Sequence, residues 1–285
     1  MLRAAAAPLF VLIWSTGFVV ARAVKGEIDP ELFLTARFGL TGLMFIPIAL
    51  TARAPWPRGR AIWRHALAGV LISGLYLGPS YWAVANGLPA AVMALLGALQ
   101  PLLVALAARA FLGERVVART WLGLLIGVGG AALVIAPRLA AGDGSMGPPV
   151  AVIVALLGIF SMTAGTLIQK TSLATADLRS ASAVQNLGGA AATAVLALLL
   201  GESHWATGVP QWASLVWAVL VLSGMGTTLL VWMVRGGNAT RASALLLLVP
   251  PLVAAETFIL FGETLTWLQI VGFAVALGGV QLARR

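Results

Sequence analysis

The sequence predicts an all-α membrane protein: ten transmembrane helices in two inverted-topology five-helix repeats, with both termini in the cytoplasm. Three observations carry this reading. The first is composition. Hydrophobic residues make up 60% of the 285, charged residues 9%, and mean hydropathy is +0.99. A soluble domain carries about 25% charged residues, so most of this surface must face lipid. The second is an internal repeat: Pro101 to Gly130 recurs without a gap from Pro250 to Gly279, 149 positions later. Leu103-Val104-Ala105 meets Leu252-Val253-Ala254, Gly113-Glu114 meets Gly262-Glu263, and Gly129-Gly130 meets Gly278-Gly279. The third is the placement of Lys and Arg, which fixes how each half sits across the bilayer.

A helix needs about 20 mostly apolar residues to cross the hydrocarbon core. Apolar runs between charges and turn residues give the spans in order: Ala4–Val24, Leu32–Leu50, Ala66–Ala85, Ala90–Phe111, Trp121–Ala136, Val150–Gln169, Ala181–Leu200, Leu215–Val234, Ala242–Phe261 and Trp267–Leu282. The fifth and tenth are short. Tight turns such as Asn86-Gly87-Leu88-Pro89 separate most of them, and the longest breaks are Thr51–His65 and Pro137–Pro149. The first repeat is therefore residues 1–136, the inter-repeat loop 137–149, and the second repeat 150–285. Ala21-Arg22-Ala23 has the small-x-small form of a signal cleavage site. Cleavage there would leave four helices in the first half against five in the second, so Ala4–Val24 reads as a true span.

With the amino terminus inside, the cytoplasmic loops hold Arg53, Arg58, Arg60, Arg64, Arg109, Arg115, Arg119, Lys170, Arg179, Arg235 and Arg241. The outer loops hold Arg22, Lys25 and Arg138, beside acids such as Glu27, Asp29, Glu31 and Glu202. Five spans is an odd number, so the second copy must be inverted. The charges agree independently: Gly113-Glu114-Arg115 is cationic, whereas its repeat mate Gly262-Glu263-Thr264 carries no arginine. Glu114 and Glu263 read as turn and topology elements. The net charge of +9 is then a cytoplasmic-loop signal, and no nucleic-acid partner is expected.

Inverted repeats are typical of secondary transporters, because exchange of conformations between two halves opens one midplane site to each side in turn. A channel would need rings of charge or of backbone carbonyls, and neither is evident. An intramembrane enzyme would need clustered His, Asp, Glu or a Ser/His arrangement. The predicted spans hold no aspartate or histidine, His65 and His204 fall in predicted loops, and the chain has no cysteine. No enzyme activity, metal or cofactor is expected.

The chain also resembles a known family. Trp14-Ser15-Thr16-Gly17-Phe18 resembles the first-helix signature of the drug/metabolite transporter superfamily, and Arg37-Phe38 its second-helix arginine. Pro101 to Glu114 and Pro250 to Glu263 are similar to its proline-to-Leu-Gly-Glu pattern, with Phe261 in place of the usual leucine. The likeness spans two EamA-type halves and is nearest to aromatic amino-acid and metabolite exporters. It implies a basket-like bundle in a bacterial plasma (inner) membrane. The first, third, fourth, sixth, eighth and ninth helices would line its central cavity.

Polar and aromatic residues inside apolar helices are costly and face interiors or cavities. Trp14 lies about ten residues into its span, near the bilayer centre by helical rise, where an interfacial role fails and helix packing remains the rival to a substrate role. Ser80, Tyr81 and Trp82 flank a stripe with Gly74 and Gly78; helix packing and an aromatic belt compete with a substrate role there. Gln100 precedes Pro101, whose ring frees a backbone carbonyl near mid-membrane. The amide could hold a zwitterion or re-satisfy that carbonyl. Pro250 and Pro251 break the ninth span at the matching depth. Ser161 and Thr163 in the sixth span, and Thr228 and Trp232 in the eighth, complete the candidate substrate set. Such walls suit a small neutral or zwitterionic metabolite: an amino acid (aromatic ones included), or a drug in a broad-specificity efflux carrier. Arg37 and Glu256 sit at similar depth and could pair as a gate or a proton-coupling element, against a structural ion pair or snorkelling. A self-contained bundle of this kind permits a monomer.

Overall fold

The computed structural model describes residues 2–97, 99–140, 148–172, 176–226, 228–229, 233, 248–261 and 266–284. These residues are helical nearly throughout, and the helices begin and end where local chemistry requires. Helix α1 is Leu2–Ala23 and α2 is Pro30–Thr51. Asp29 caps α2 in an extended conformation with Pro30 at the first helical position, where the missing N–H costs nothing. Helices α7 (Ala118–Ala140) and α8 (Pro149–Ser172) follow the fourth span. Helix α9 (Leu178–Leu200) starts at Asp177, whose side chain accepts from Arg179 N, and stops at Gly201 in the left-handed region (φ 68°). Only glycine enters that region without strain.

The third, fourth and eighth spans are broken rather than continuous. The third consists of α3 (Arg60–Gly69), a π-helical segment Val70–Gly74, and α4 (Leu77–Ala85). The fourth divides into α5 (Ala90–Gly97) and α6 (Gln100–Leu112). Pro101 sits in the first turn of α6, because proline can open a helix but cannot carry a hydrogen bond through it. The eighth runs as α10 (Val209–Trp217) into a second π segment, Ala218–Gly226. In the repeat register the first π segment falls inside the second. The same irregularity is therefore built into both halves. Helices α11 (Val249–Phe261) and α12 (Trp267–Arg284) complete the chain.

Three expected boundaries are corrected. The fifth span runs to Ala140 and the tenth to Arg284, so both are longer than their apolar cores. Pro137 consequently belongs to a helix and not to the inter-repeat loop. His65 is not in a loop: it is buried in α3, 3.3 Å from Gln185 Nε2.

Helix α7 packs most extensively on α12, and α2 on α9. Both pairs are antiparallel. In the first, Gly123 faces Ala283 while Gly130 faces Gly272 and Ala276. In the second, Thr35 Oγ1 donates to Thr193 Oγ1 (3.0 Å) and Gly42 abuts Leu187. Several further contacts recur when the halves are exchanged. Helix α1 packs on the second π segment and on α11, as α8 packs on the first π segment and on α6. The second π segment packs on α2, as the first does on α9. Five helical segments among the described residues are long and apolar enough to cross a membrane: Pro30–Thr51, Arg60–Ala85, Pro149–Lys170, Leu178–Leu200 and Val209–Gly226. Leu198 (82% exposed) and Ile259 (75%) point away from the bundle. In water they would be a liability; in lipid they are the expected exterior.

Candidate functional site

Among the described residues, two small cavities of about 10 and 30 Å³ lie between the helices. Trp14, Phe18 and Tyr76 line both. Ala94, Gly97, Met162 and Val249 close the smaller; Gly17, Arg37, Leu77, Tyr81 and Leu222 close the larger. The walls therefore come from the first, third, fourth, sixth, eighth and ninth spans, with α2 adding Arg37. These volumes hold a water or two.

The helix breaks place the lining residues. Tyr76 sits in the turn between the first π segment and α4, outside either helix proper. Ser161 Oγ donates to Leu71 O (2.9 Å), satisfying a carbonyl inside that π segment. Gly158 and Gly165 bring α8 against the third span; a methyl group on Gly165 would lie 2.5 Å from Ile72 Cγ1. Gly74 and Gly78 are packing positions too, facing Ala192 and the Glu31 carboxylate.

Arg37 is buried on the larger cavity. Its Nε donates to Ser223 Oγ (2.8 Å) and its Nη1 to Tyr81 Oη (3.4 Å), while Tyr81 Oη donates to Gly17 O (3.0 Å). Ser223 belongs to the second π segment, so the guanidinium ties α2 to the eighth span. Glu256 in α11 is bound elsewhere: Ser15 Oγ donates to its Oε1 at 2.5 Å. Glu256 Oε2 is buried without a hydrogen-bond partner among the described residues. Arg37 and Glu256 therefore do not pair in this conformation. Each takes a neutral partner from a neighbouring helix instead.

The other predicted positions divide. Trp14 and Tyr81 reach the cavities. Gln100 is buried one helical turn from Gly97; its Nε2 donates to Thr166 Oγ1 (3.4 Å), and its Oε1 is unpartnered among the described residues. Ser80 and Thr163 bond back to the carbonyls of Tyr76 and Ile159, four residues earlier. Trp82 is half-buried against the core and lines neither cavity. Thr228 donates to Gly224 O and lines an open lateral groove of about 390 Å³ with Met44, Phe45 and Ile48. Trp232 lies outside the described residues, as do the side chains of Pro250 and Pro251 and the turn at Glu263. Glu114 forms an ion pair with Lys170, joining the two repeats.

Sequence reasoning missed Tyr76 and Ser15. Tyr76 was hidden because helical periodicity was read through the third span, whereas the π segment and turn rotate this ring to the centre. Ser15 was readable only as part of the first-helix signature; nothing in its spacing announced a carboxylate partner 241 residues away. The start of α2 and the end of α9 are clasped. Asp29 Oδ2 accepts from Ser203 N (2.8 Å) and His204 N (2.7 Å), while Glu202 Oε2 accepts from Glu31 N (2.8 Å) and Leu32 N (3.1 Å). Burial raises the Glu202 carboxyl above its ordinary range, and nearby Asp29 adds to this against the two amide bonds.

Comparison with known proteins agrees with this architecture. The profile of the EamA-like transporter family matches residues 3–136 and 149–285. The chain belongs to that family, and is a multi-pass membrane protein of the transporter class. It is 25% identical to the uncharacterized transporter sll0355 of Synechocystis sp., over 97% of this chain and 87% of that one. It is 24% identical to the uncharacterized transporter YvbV of Bacillus subtilis, over 95% and 88% of the two. One solved crystal structure superposes with a TM-score of 0.77 at 22% identity, covering 98% of this chain and 94% of that one. That last likeness speaks to fold alone.

Proposed function

We propose that the protein is a secondary transporter of small neutral or zwitterionic metabolites, amino acids foremost, working as an exporter by alternating access in a bacterial plasma membrane. One observation carries this reading: the closest helix contacts recur when the halves are exchanged. Gly130 approaches Ala276 as Gly279 approaches Gly127, both at 2.4 Å for an added methyl group. Contacts of this reciprocal form between antiparallel helices require a two-fold axis perpendicular to them. In a bilayer that axis lies in the membrane plane. Together with the charge distribution it supports ten spans, inverted halves and cytoplasmic termini.

The matched π segments support the mechanism. A π segment weakens the local hydrogen-bond ladder and often marks a functional site. Here each half carries one, so bending at either would let the halves open in turn. Aromatic walls with a single lining charge support a small amphiphilic solute over sugar phosphates or nucleotides. The test is counterflow by purified protein in liposomes, screened against amino acids and neutral metabolites. Saturable exchange reduced by Trp14→Ala and Gln100→Ala is expected; non-saturable flux would favour a pore. The native chain has no cysteine, so single cysteines at Gly113 and Gly262 report topology directly. Labelling of both from one side would end the inverted reading.

A further inference from the structure

We propose that Arg37 is the binding group for a carboxylate on the transported solute, which makes the preferred substrates monocarboxylates with an apolar or aromatic body. The inference rests on the transport reading for its purpose, but its evidence is the site itself.

An arginine stays charged under all ordinary conditions. Burying it is costly unless an anion compensates, and so intramembrane arginines pair with acids or face a polar path. Arg37 is 6% exposed, and among the described residues no carboxylate lies within ion-pairing distance of it. The nearby acids lie elsewhere: Glu256 receives Ser15 on one oxygen, Glu202 receives the amides at the start of α2, and Glu31 lies against Gly78. The two bonds it makes, to Ser223 and Tyr81, use Nε and Nη1 and go to neutral hydroxyls. They fix the plane of the guanidinium without neutralising it. Nη2 has no partner among the described residues, and the residue lines the larger cavity beside Trp14, Tyr76 and Tyr81. A fixed planar fork with unused donors is the geometry that receives a carboxylate edge-on.

The repeat sharpens the point. In its register the place of Arg37 falls to Asn186, which donates to Ser182 O in its own helix. A charge required by the packing of α2 on α9 would be needed in both halves; only one half carries it. The cavity thus has a single positive pole. One guanidinium suits one monoanionic group, whereas phosphates and dicarboxylates call for several cations. The flanking rings provide flat apolar surface for the remainder of the solute. The cavity of about 30 Å³ admits little more than the headgroup, so the body enters as the bundle opens.

The test uses three probes of one shape: 3-phenylpropionate (carboxylate alone), L-phenylalanine (zwitterion) and phenethylamine (ammonium alone). Binding to purified protein is read by tryptophan fluorescence and thermal shift, and exchange by counterflow in liposomes. Wild-type protein is expected to bind and exchange the first two and to discriminate against the third. Arg37→Gln should weaken both carboxylates by about 30-fold, the effect of losing a charged hydrogen-bond partner, and remove the discrimination. Arg37→Lys keeps the charge without the fork, and serves if the glutamine variant does not fold. A loss of about 5-fold with preference retained is expected there. Equal handling of phenethylamine and phenylalanine, unchanged 3-phenylpropionate affinity in either variant, or no binding of any carboxylate would overturn the assignment. Arginine-dependent binding without any counterflow would uphold it and remove the transport reading instead.

Discussion

The α7–α12 seam and the centre of the bundle are built from the same residue types to opposite ends. Along the seam, glycines remove side chains so that two backbones meet. A methyl group on Gly123 would lie 2.4 Å from Ala283 N, and one on Gly130 2.4 Å from Ala276 N. At the centre, a methyl group on Gly97 would find its nearest atom, Tyr76 Oη, 3.9 Å away. The seam helices are unbroken over 23 and 18 residues. The central spans are interrupted by two π segments and by Pro101. A seam closed by backbone contact has no second packing available, because interiors at native density do not deform gradually. Broken helices around small voids have several. Tight seam and loosely packed centre are therefore distinguishable in one sequence by what surrounds a glycine.

The same substitution at the two places should give the largest contrast. Gly130→Ala has no side-chain end to push aside, only the backbone of α12, and should cost about 3 kcal/mol or prevent folding. Gly97→Ala should leave the thermal midpoint in detergent within about 2 °C, since alanine favours helix over glycine by about 1 kcal/mol. Equal destabilisation at both sites would break the distinction between seam and centre.

Within the centre, Glu256 carries the next largest expected effect. A carboxyl in the membrane is neutral when protonated, and glutamine mimics that form. If Glu256 couples transport to protons, Glu256→Gln should exchange solute equally from about pH 5 to about pH 9, at the level wild type reaches in acid. Its folding should be unaffected, because Ser15 can donate to an amide oxygen as well. A variant that follows the wild-type pH profile would assign Glu256 to packing. Tyr76→Phe is smaller and sharper. It removes only a hydroxyl at the cavity wall, and should raise the KM for counterflow about 5-fold while leaving the midpoint unchanged. A fall in stability without a change in KM would move Tyr76 to the scaffold.

The sequence conveyed the scaffold more fully than the site, and the reason is physical. Burial in lipid demands long apolar runs, and the seam demands Gly130 and Gly279, one glycine of each repeated pair; both constraints are written in composition and period. Gln100 beside Pro101 was legible as a break because proline has only one way to act in a helix. The π segments left no such mark: Val70-Leu71-Ile72-Ser73-Gly74 reads as ordinary helix. One extra residue per turn was enough to carry Tyr76 to the centre. Pairing was the least legible. Similar depth suggested Arg37 with Glu256, yet depth along a helix says nothing about azimuth, and each side chain met a serine on a different neighbour.

The clasp at the ends of α2 and α9 offers the smallest effect and a test of sign. Glu202 is held neutral more readily in the folded protein than in the unfolded chain, because burial outweighs its two amide bonds. Its contribution to stability is therefore full below the ordinary glutamate range and declines as pH rises through the raised folded-state value. Glu202→Gln keeps an oxygen for Glu31 N and Leu32 N but cannot ionise. The variant should match wild type in acid and be the more stable protein near neutrality, by no more than about 1 kcal/mol given the partial exposure. Asp29→Ala should instead lose stability whatever the state of Glu202, since Ser203 N and His204 N lose their acceptor. If Glu202→Gln is less stable than wild type at neutral pH, the ionised carboxylate holds the clasp. The two loops would then be locked by charge, as firmly as the seam is locked by contact.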